Sequence, residues 1–478
     1  MKQDKPNIVL MYADDMGYGD FGVFNDGHVR TPNLDHLITQ STCLTQHYSG
    51  SPVCSPSRAA LLTGRYPHRT GAITPQETRG LDRIHTSETT IGDVFKENGY
   101  CTGMVGKWHN GALDPRYHPN NRGFDEFVGF RGGWADYYRW NLDINGQVSK
   151  SDGRYLTDVL GDAAVDFITR HSDEPFLLLV PFNAPHSPLQ APEELTERYR
   201  SMGLNGSVSL VYAMIESMDQ SVGRILDTIE ECGLANNTIV MFTSDNGPEF
   251  AVRDDLVPEG ESTDATRYNC GYNGSKGSVF EGGIKVPMII RWPDGLPNGQ
   301  QEIPEMVHFT DWLPTLMAAA GISHEFQKKL DGHDIWSQIR GERPWKQPQR
   351  FWQWNRYQPV GFVNAACRDG DWKLIRPNIS FTYPDPYDKI LDDLYVTTDI
   401  EYKYHPENVT QLMTTRDPVY VWPTPPSPEL FNIKEDPLER ENLILKYPDK
   451  ARKLANDIEN WFDEMDRELI VAQRETLN

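Results

Sequence analysis

Cys54 stands in the segment Pro52-Val-Cys54-Ser-Pro56-Ser-Arg58-Ala-Ala-Leu-Leu-Thr-Gly64, where a possible nucleophile, a permanent cation and helix-forming residues share one short stretch. Ser55 can cap a helix, Pro56 suits its first position, Leu61 and Leu62 offer an inward face and Gly64 ends it. Such a helix holds Cys54 at its N-terminus, where free backbone N–H groups and the positive end of the helix dipole attract anions. Arg58 adds a charge that does not titrate. A lone cysteine is ordinarily a small buried hydrophobe; these neighbours instead make Cys54 the centre of an anion-binding site.

Three further groups end apolar runs. Asp14-Asp15 follows Asn7–Ala13, Asp245-Asn246 follows the run 238–243, and Lys107-Trp-His109 lies beyond the run 100–105. The acidic pairs offer only oxygen donors, which selects a hard cation, calcium or magnesium, over zinc. Lys107 and His109, two apart in extended chain, can face one pocket.

The runs at 7–13, 100–105, 176–180 and 238–243 read as buried strands, each followed by Gly, Pro, Asn or Asp. Helical periodicity lies between them at 89–98, 156–171, 207–232 and 311–320. The alternation predicts an α/β sandwich, a large mostly parallel or mixed sheet with helices on both faces. Ligand sites in such sheets form beyond the carboxyl ends of the strands, where these polar groups fall. Past residue 345 the pattern turns to hairpins around Asp369-Gly370, giving a catalytic unit over 1–345 and a smaller antiparallel α+β unit over 346–478. In the latter, Leu454, Ile458, Trp461, Phe462, Met465 and Leu469 share a helix face that should cover the sheet, and 377–428 reads as a long irregular excursion.

Asp and Glu outnumber Lys and Arg by 69 to 46, a net charge of -23 that argues against a nucleic-acid partner. An anionic substrate must therefore be captured by a locally basic pocket. No apolar run approaches the roughly 20 residues that span a bilayer, so no membrane association is expected. Residues 1–6 carry no secretory leader, which places the chain as it stands in the cytoplasm, or in the periplasm or outside if a leader has been removed. The six cysteines show no disulfide framework, and with Cys54 converted the odd number left fits a reducing compartment.

The stretch around Cys54 resembles the C-x-P-S-R signature of type I, formylglycine-dependent sulfatases, and Gly99 to His109 resembles their second signature, G-Y-x-T-x-x-x-G-K-W-H. Further matches are Asn183-Ala-Pro-His186-Ser-Pro, Gly274-Ser-Lys276-Gly, and Glu281-Gly-Gly-Ile-Lys285-Val-Pro, where Lys285 replaces the usual Arg. The segment from Glu429 through Asp436 and Glu439 to Leu443 is similar to the family's closing motif, so the likeness runs from Asn7 to Leu443. It implies an alkaline-phosphatase-like fold and hydrolysis of sulfate monoesters. A formylglycine-generating or anaerobic sulfatase-maturating enzyme would oxidise Cys54 to formylglycine, whose hydrate attacks sulfur to give a sulfated enzyme. One calcium ion, ahead of magnesium, would be held by Asp14, Asp15, Asp245, Asn246 and the formylglycine oxygen at position 54. Arg58 would favour the ionised nucleophile, Lys107 and Lys276 would hold sulfate oxygens, His186 would protonate the leaving group and His109 would deprotonate the second hydroxyl.

For the substrate the expectation is a sulfated saccharide or other sulfated small molecule, with Arg and aromatic residues at 131–140 and 351–357, and the excursion 250–272, as possible pocket walls. Relatives of the same fold that act on phosphorus leave a phosphodiesterase or phosphonate monoester hydrolase as the alternative. An inactive sulfated-glycan binder is the reading from another class. Oligomeric state is open.

Overall fold

The strand Asn7–Ala13 (β1) is buried along its whole length. Its alternation sends Ile8, Leu10 and Tyr12 to one apolar layer and Val9, Met11 and Ala13 to the other. A strand with no exposed face must be covered on both sides, which places it inside a helix-sheet-helix sandwich. The computed structural model describes residues 5–297 and 299–476; residues 1–4 of the polar leader lie outside them.

β1 sits near the middle of a ten-stranded sheet. Its companions are Thr42–Tyr48 (β2), Cys101–Lys107 (β3), Glu126–Phe130 (β4), Asn141–Ile144 (β5), Gln147–Lys150 (β6), Phe176–Pro181 (β7), Thr238–Ser244 (β8), Met288–Arg291 (β9) and Gln301–His308 (β10). The order is β10-β2-β9-β8-β1-β7-β3-β4-β5-β6. From β8 to β4 all neighbours are parallel, while β9, β5 and β6 pair antiparallel, so the sheet is mixed as expected. Helices α1 (Cys54–Thr63), α2 (Ile91–Glu97), α3 (Leu156–Arg170), α4 (Gly206–Glu231) and α5 (Trp312–Ala319) cover it, α3 and α4 on the Val9 layer and the others on the Ile8 layer. The parallel arrangement of β8, β1, β7 and β3 brings their carboxyl ends to one edge. Gly106, at φ +132°, permits a close approach there, because a Cβ would fall 2.0 Å from the Pro181 carbonyl.

A second, antiparallel sheet contains Arg350–Gln353 (β11), Ala365–Asp369 (β12), Trp372–Arg376 (β13) and Glu429–Asn432 (β14). Trp352, Ala366, Ile375 and Phe431 pack against Tyr48, Val279 and Ile284 of the larger unit. The opposite face, Ala365, Cys367, Leu374 and Leu430, is covered by Leu454 and Ile458 of the C-terminal helix Pro448–Thr476, as expected, whereas Trp461 and Met465 further along the predicted face pack with Tyr66 and Phe351. No helix among the described residues is long and apolar enough to cross a membrane.

One expectation fails. The stretch 377–428 is not irregular throughout: it contains the helix Pro386–Tyr404, α6, with the C-terminal helix becoming α7. Asp385 caps it by accepting from Tyr387 N–H, and Pro386 takes the first turn. Leu391, Tyr395 and Tyr402 are buried, but Asp388, Asp392 and Asp399 share that side and mask the apolar period. Each acid has a partner instead: Arg416, Tyr357 and Thr78 respectively.

Candidate active site

Cys54 is the first residue of α1, all ten residues of which are buried. Gly64 ends the helix at φ +67°, as its position predicts. Ser55 does not cap it, and Pro56 is not its first residue. The helix begins two residues earlier, Val53 precedes it without a side-chain cap, and the Ser55 hydroxyl donates to the Asp82 carbonyl at 3.2 Å. An uncapped N-terminus keeps its N–H groups available to an anion.

Arg58, fully buried, projects from α1 beneath the sheet edge. Its Nε donates to Asp245 Oδ2 at 2.9 Å and its Nη1 to the Lys107 carbonyl at 2.8 Å, while Nη2 lies 2.8 Å from Asp245 Oδ2 and 3.5 Å from Asp14 Oδ2 as an ion pair. Lys107 Nζ bonds Asp14 Oδ2 at 2.5 Å. Lys276 Nζ bonds Asp15 Oδ2 at 2.7 Å, and His186 Nε2 is 3.7 Å from the same oxygen. Asn246 Nδ2 donates to Asp15 Oδ1 at 2.6 Å. The sequence-predicted residues thus form one cluster at the ends of β1, β3 and β8 and the loops after β7 and before β9.

Asp14 Oδ1 and Asn246 Oδ1 are buried without any hydrogen-bond partner. Buried acceptors left unpaired cost free energy, and this donor set is made of oxygens, so the residues fit a hard divalent cation. Asp15 holds a left-handed backbone at φ 71°, and His109 does so at 54°. For residues other than glycine this costs about 1–3 kcal/mol each.

Burial sets the ionisation of the cluster. It raises Asp14 against the pull of Lys107 and Arg58. It also raises Asp245, to about 6, with Asp14 adding to the push. For Asp15 burial acts upward too, but Lys276 and then His186 carry it well below the carboxylate range. A bound cation would favour all three carboxylates. Burial drives His109 well below the ordinary histidine value, helped by Lys107, Lys403 and Arg58. His186 falls to about 4 through burial and Lys276. Against burial, Asp15 and Glu249 lift Lys276 well above an ordinary lysine. The Cys54 thiol is pushed up to about 11 by burial, despite the helix end and Lys107. As a thiol it is therefore a poor nucleophile.

Above the cluster opens a cavity of ≈ 590 Å³. Cys54, His109, His186 and Lys276 line its floor; Trp134, Trp354, Arg356, Arg253 and Lys403 stand around it. Lys107 does not line it, since its side chain is wholly buried against Asp14. Of the aromatic segments, Trp134 and Trp354 reach the cavity, whereas Trp352 donates to the Ser49 carbonyl and Trp140 to the Arg154 carbonyl in packed surroundings. Several supporting residues were not singled out by sequence reasoning. Arg267 bonds Asp20 and the Asp15 carbonyl, and Ser57 donates to the Asp245 carbonyl. Glu77 lies 3.6 Å from His109, and Lys403 comes from the unforeseen α6. Their contacts join segments far apart in sequence, so spacing carried no signal.

The sulfatase family model matches residues 6–322, and a model for the C-terminal part of N-sulphoglucosamine sulphohydrolase matches 273–417. Arylsulfatase J of Mus musculus is 30% identical over 497 residues, covering 96% of this chain and 76% of the relative. N-acetylgalactosamine-6-sulfatase of Rattus norvegicus is 34% identical over 362 residues, covering 69% and 65%. The crystal structure of Ps i-CgsB in complex with k-i-k-neocarrahexaose superposes with TM-score 0.77 at 29% identity, covering 96% of this chain and 93% of that one. The fold is that of the alkaline-phosphatase-like superfamily, and sulfatases generally use a metal ion and a formylglycine. The chain belongs to the sulfatase family and is a sulfuric ester hydrolase.

Proposed function

We propose that this enzyme removes sulfate from a saccharide, using a formylglycine made from Cys54 and a calcium ion held by Asp14, Asp15, Asp245 and Asn246. The observation carrying this reading is the meeting of Cys54, His109, His186 and Lys276 on one cavity floor, directly above the unpaired oxygens of Asp14 and Asn246. The raised thiol pKa also argues against direct attack by a Cys54 thiolate.

Formylglycine supplies, as its hydrate, two hydroxyls on one carbon: one to take the sulfuryl group and one to let sulfate leave. Calcium supplies positive charge for the nucleophile and the sulfate oxygens. Lys276, firmly cationic, binds a sulfate oxygen, while Arg58 and the helix end stabilise charge at position 54. Lys107 serves from below by neutralising Asp14. His186 Nδ1 lies 2.6 Å from the Ser187 carbonyl, which can only accept, so Nδ1 keeps its proton and Nε2 is the nitrogen that gives one to the leaving alcohol when the ring is cationic. The anionic ester raises His186 from its low value toward that task. His109 takes the proton of the second hydroxyl as the carbon–oxygen bond to sulfate breaks and sulfate departs with the bonding pair.

Saccharide recognition is supported by the cavity wall and by the relatives. The Trp354 indole N–H is buried without a protein partner and available to a sugar hydroxyl. Trp134 offers a ring face, and Arg356 and Arg253 suit a carboxylate or a second sulfate. A related enzyme is named for N-acetylgalactosamine 6-sulfate, and a similar structure holds a neocarrahexaose. In this reading residues 1–345 form the catalytic unit, and 346–478 form a C-terminal unit that lends it a wall.

Cys54→Ala should abolish turnover of nitrophenyl sulfate while leaving the unfolding midpoint in place, and mass measurement of the residue-54 peptide should find formylglycine in active protein. Retained activity in the variant sinks the reading. A panel of sulfated saccharides beside a singly charged phosphate diester tests the substrate class, and calcium against magnesium after chelation tests the ion.

A further inference from the structure

His109 is held through Nε2 by a loop, and that loop is held by α6. His109 Nε2 lies 3.3 Å from the Pro75 carbonyl and 3.6 Å from Glu77 Oε1. Both oxygens only accept, so Nε2 carries the proton and Nδ1 keeps its lone pair. Nδ1 is buried and has no partner within the protein. Glu77, 1% exposed, accepts from Gly133 N–H at 2.5 Å and from Lys403 Nζ at 2.6 Å. Four residues before Lys403 on the same side of α6, Asp399 accepts from Thr78 N–H at 2.9 Å and from its hydroxyl at 2.6 Å. The helix therefore grips two successive residues of the loop.

Gly133 shows how closely these parts are fitted. A Cβ there would fall 2.7 Å from His109 Cε1 and 2.9 Å from Glu77 Oε1. Only a residue without a side chain lets the imidazole and the carboxylate approach over this strand-end loop.

We infer that Glu77 is the positioning residue of His109, holding by its charge and its grip on Gly133 the ring whose tautomer the Pro75 carbonyl fixes with Nδ1 free as the base, and that α6 sets Glu77 through Lys403. The inference rests on the proposed role of His109 as the base of the second half-reaction. When Nδ1 takes the hydroxyl proton, the Glu77 carboxylate balances the new imidazolium charge across the ring. At rest Lys403 balances Glu77, so the carboxylate does not hold the ring protonated. Residues from the C-terminal third of the chain thereby set the geometry of a base at the end of β3.

The test uses full-length, matured protein with nitrophenyl sulfate as probe. Glu77→Gln should lower kcat by about 10- to 100-fold with KM changed by less than about twofold. The residue-54 peptide from quenched turnover should then carry a sulfuryl group, because the step that releases sulfate has become slow. Lys403→Met should lower kcat in the same way, and Lys403→Arg should restore it. Wild-type kcat in Glu77→Gln overturns the inference. So does a lower kcat with no sulfuryl group on residue 54, which would mark a merely structural role. His109→Ala separates the two levels: if it too leaves residue 54 free of sulfuryl during turnover, the assignment of the base has failed. If His109→Ala retains the sulfuryl group and Glu77→Gln does not, only the positioning role has failed.

Discussion

Two buried charge clusters in this protein are built from similar parts and behave differently. At the interface of the two sheets, Lys373 Nζ bonds Glu281 Oε1 and Glu439 Oε1, each at 2.8 Å. The remaining oxygens are also used: Glu281 Oε2 accepts from the Tyr48 hydroxyl, and Glu439 Oε2 from Glu281 N–H. At the end of the large sheet, buried Arg58 and Lys107 and part-buried Lys276 face buried Asp14, Asp15 and Asp245, yet Asp14 Oδ1, Asn246 Oδ1 and His109 Nδ1 have no partners, and a cavity opens above. The first cluster closes on itself and joins the two sheets. The second is incomplete within the protein, and that incompleteness marks it as the site. Burial of charge alone distinguishes nothing; unsatisfied atoms beside open space do.

Substitutions on each side sharpen this contrast. Arg58→Ala should have the largest effect, lowering kcat by about 100- to 1000-fold through loss of charge stabilisation at position 54. It should also destabilise the metal-free protein by about 3–5 kcal/mol, because Asp14 and Asp245 lose a shared partner. Calcium should recover part of that loss in urea titrations, since the ion takes over the same carboxylates. Lys373→Met should cost a similar ~3–5 kcal/mol by leaving two buried acids uncompensated, but calcium should recover none of it, and kcat per folded molecule should stay at the wild-type level. Equal recovery in both variants would erase the distinction.

A smaller effect concerns Asp82, which lies near the catalytic helix without facing its cavity. Burial, with Glu77 adding to it, pushes its carboxyl up to about 8, and its Oδ2 accepts from Gly111 N–H. Because the folded value lies above the unfolded one, this group's contribution to stability is fully present below about pH 4 and is lost as pH rises through about 8. Asp82→Asn should therefore flatten the fall in unfolding free energy between mildly acidic and mildly alkaline buffer. An unchanged slope would mean that Asp82 is ionised in the fold.

Much of the architecture was legible because its signals are local. Unbroken apolar runs marked β1, β3, β7 and β8, and helical periodicity marked α2 to α5, with ends displaced by one or two residues. The helix α6 escaped because Asp388, Asp392 and Asp399 interrupt its apolar face, and the partners that make those acids tolerable come from distant segments. The capping role read for Ser55 failed for a related reason: its hydroxyl found the Asp82 carbonyl, a tertiary partner, in place of the backbone of its own helix.

The sequence by itself determined which groups are present and that strand ends would carry them, since composition, period and motif are properties of the chain. It also determined that the acids and amides at the strand ends bring oxygen donors. Only the tertiary structure decided which of these groups face substrate. Lys107 and Lys276 look alike in the sequence, yet parallel packing buries one wholly against Asp14 and leaves the other on the cavity floor. The same packing raises the Cys54 thiol, because desolvation by the surrounding layers, with Asp14 and Asp245 adding to it, exceeds the pull of Lys107 and Lys276. It likewise brings Glu77 and Lys403, 326 positions apart, into the support of His109. Proximity of this kind has no sequence period, because it arises from how whole layers meet.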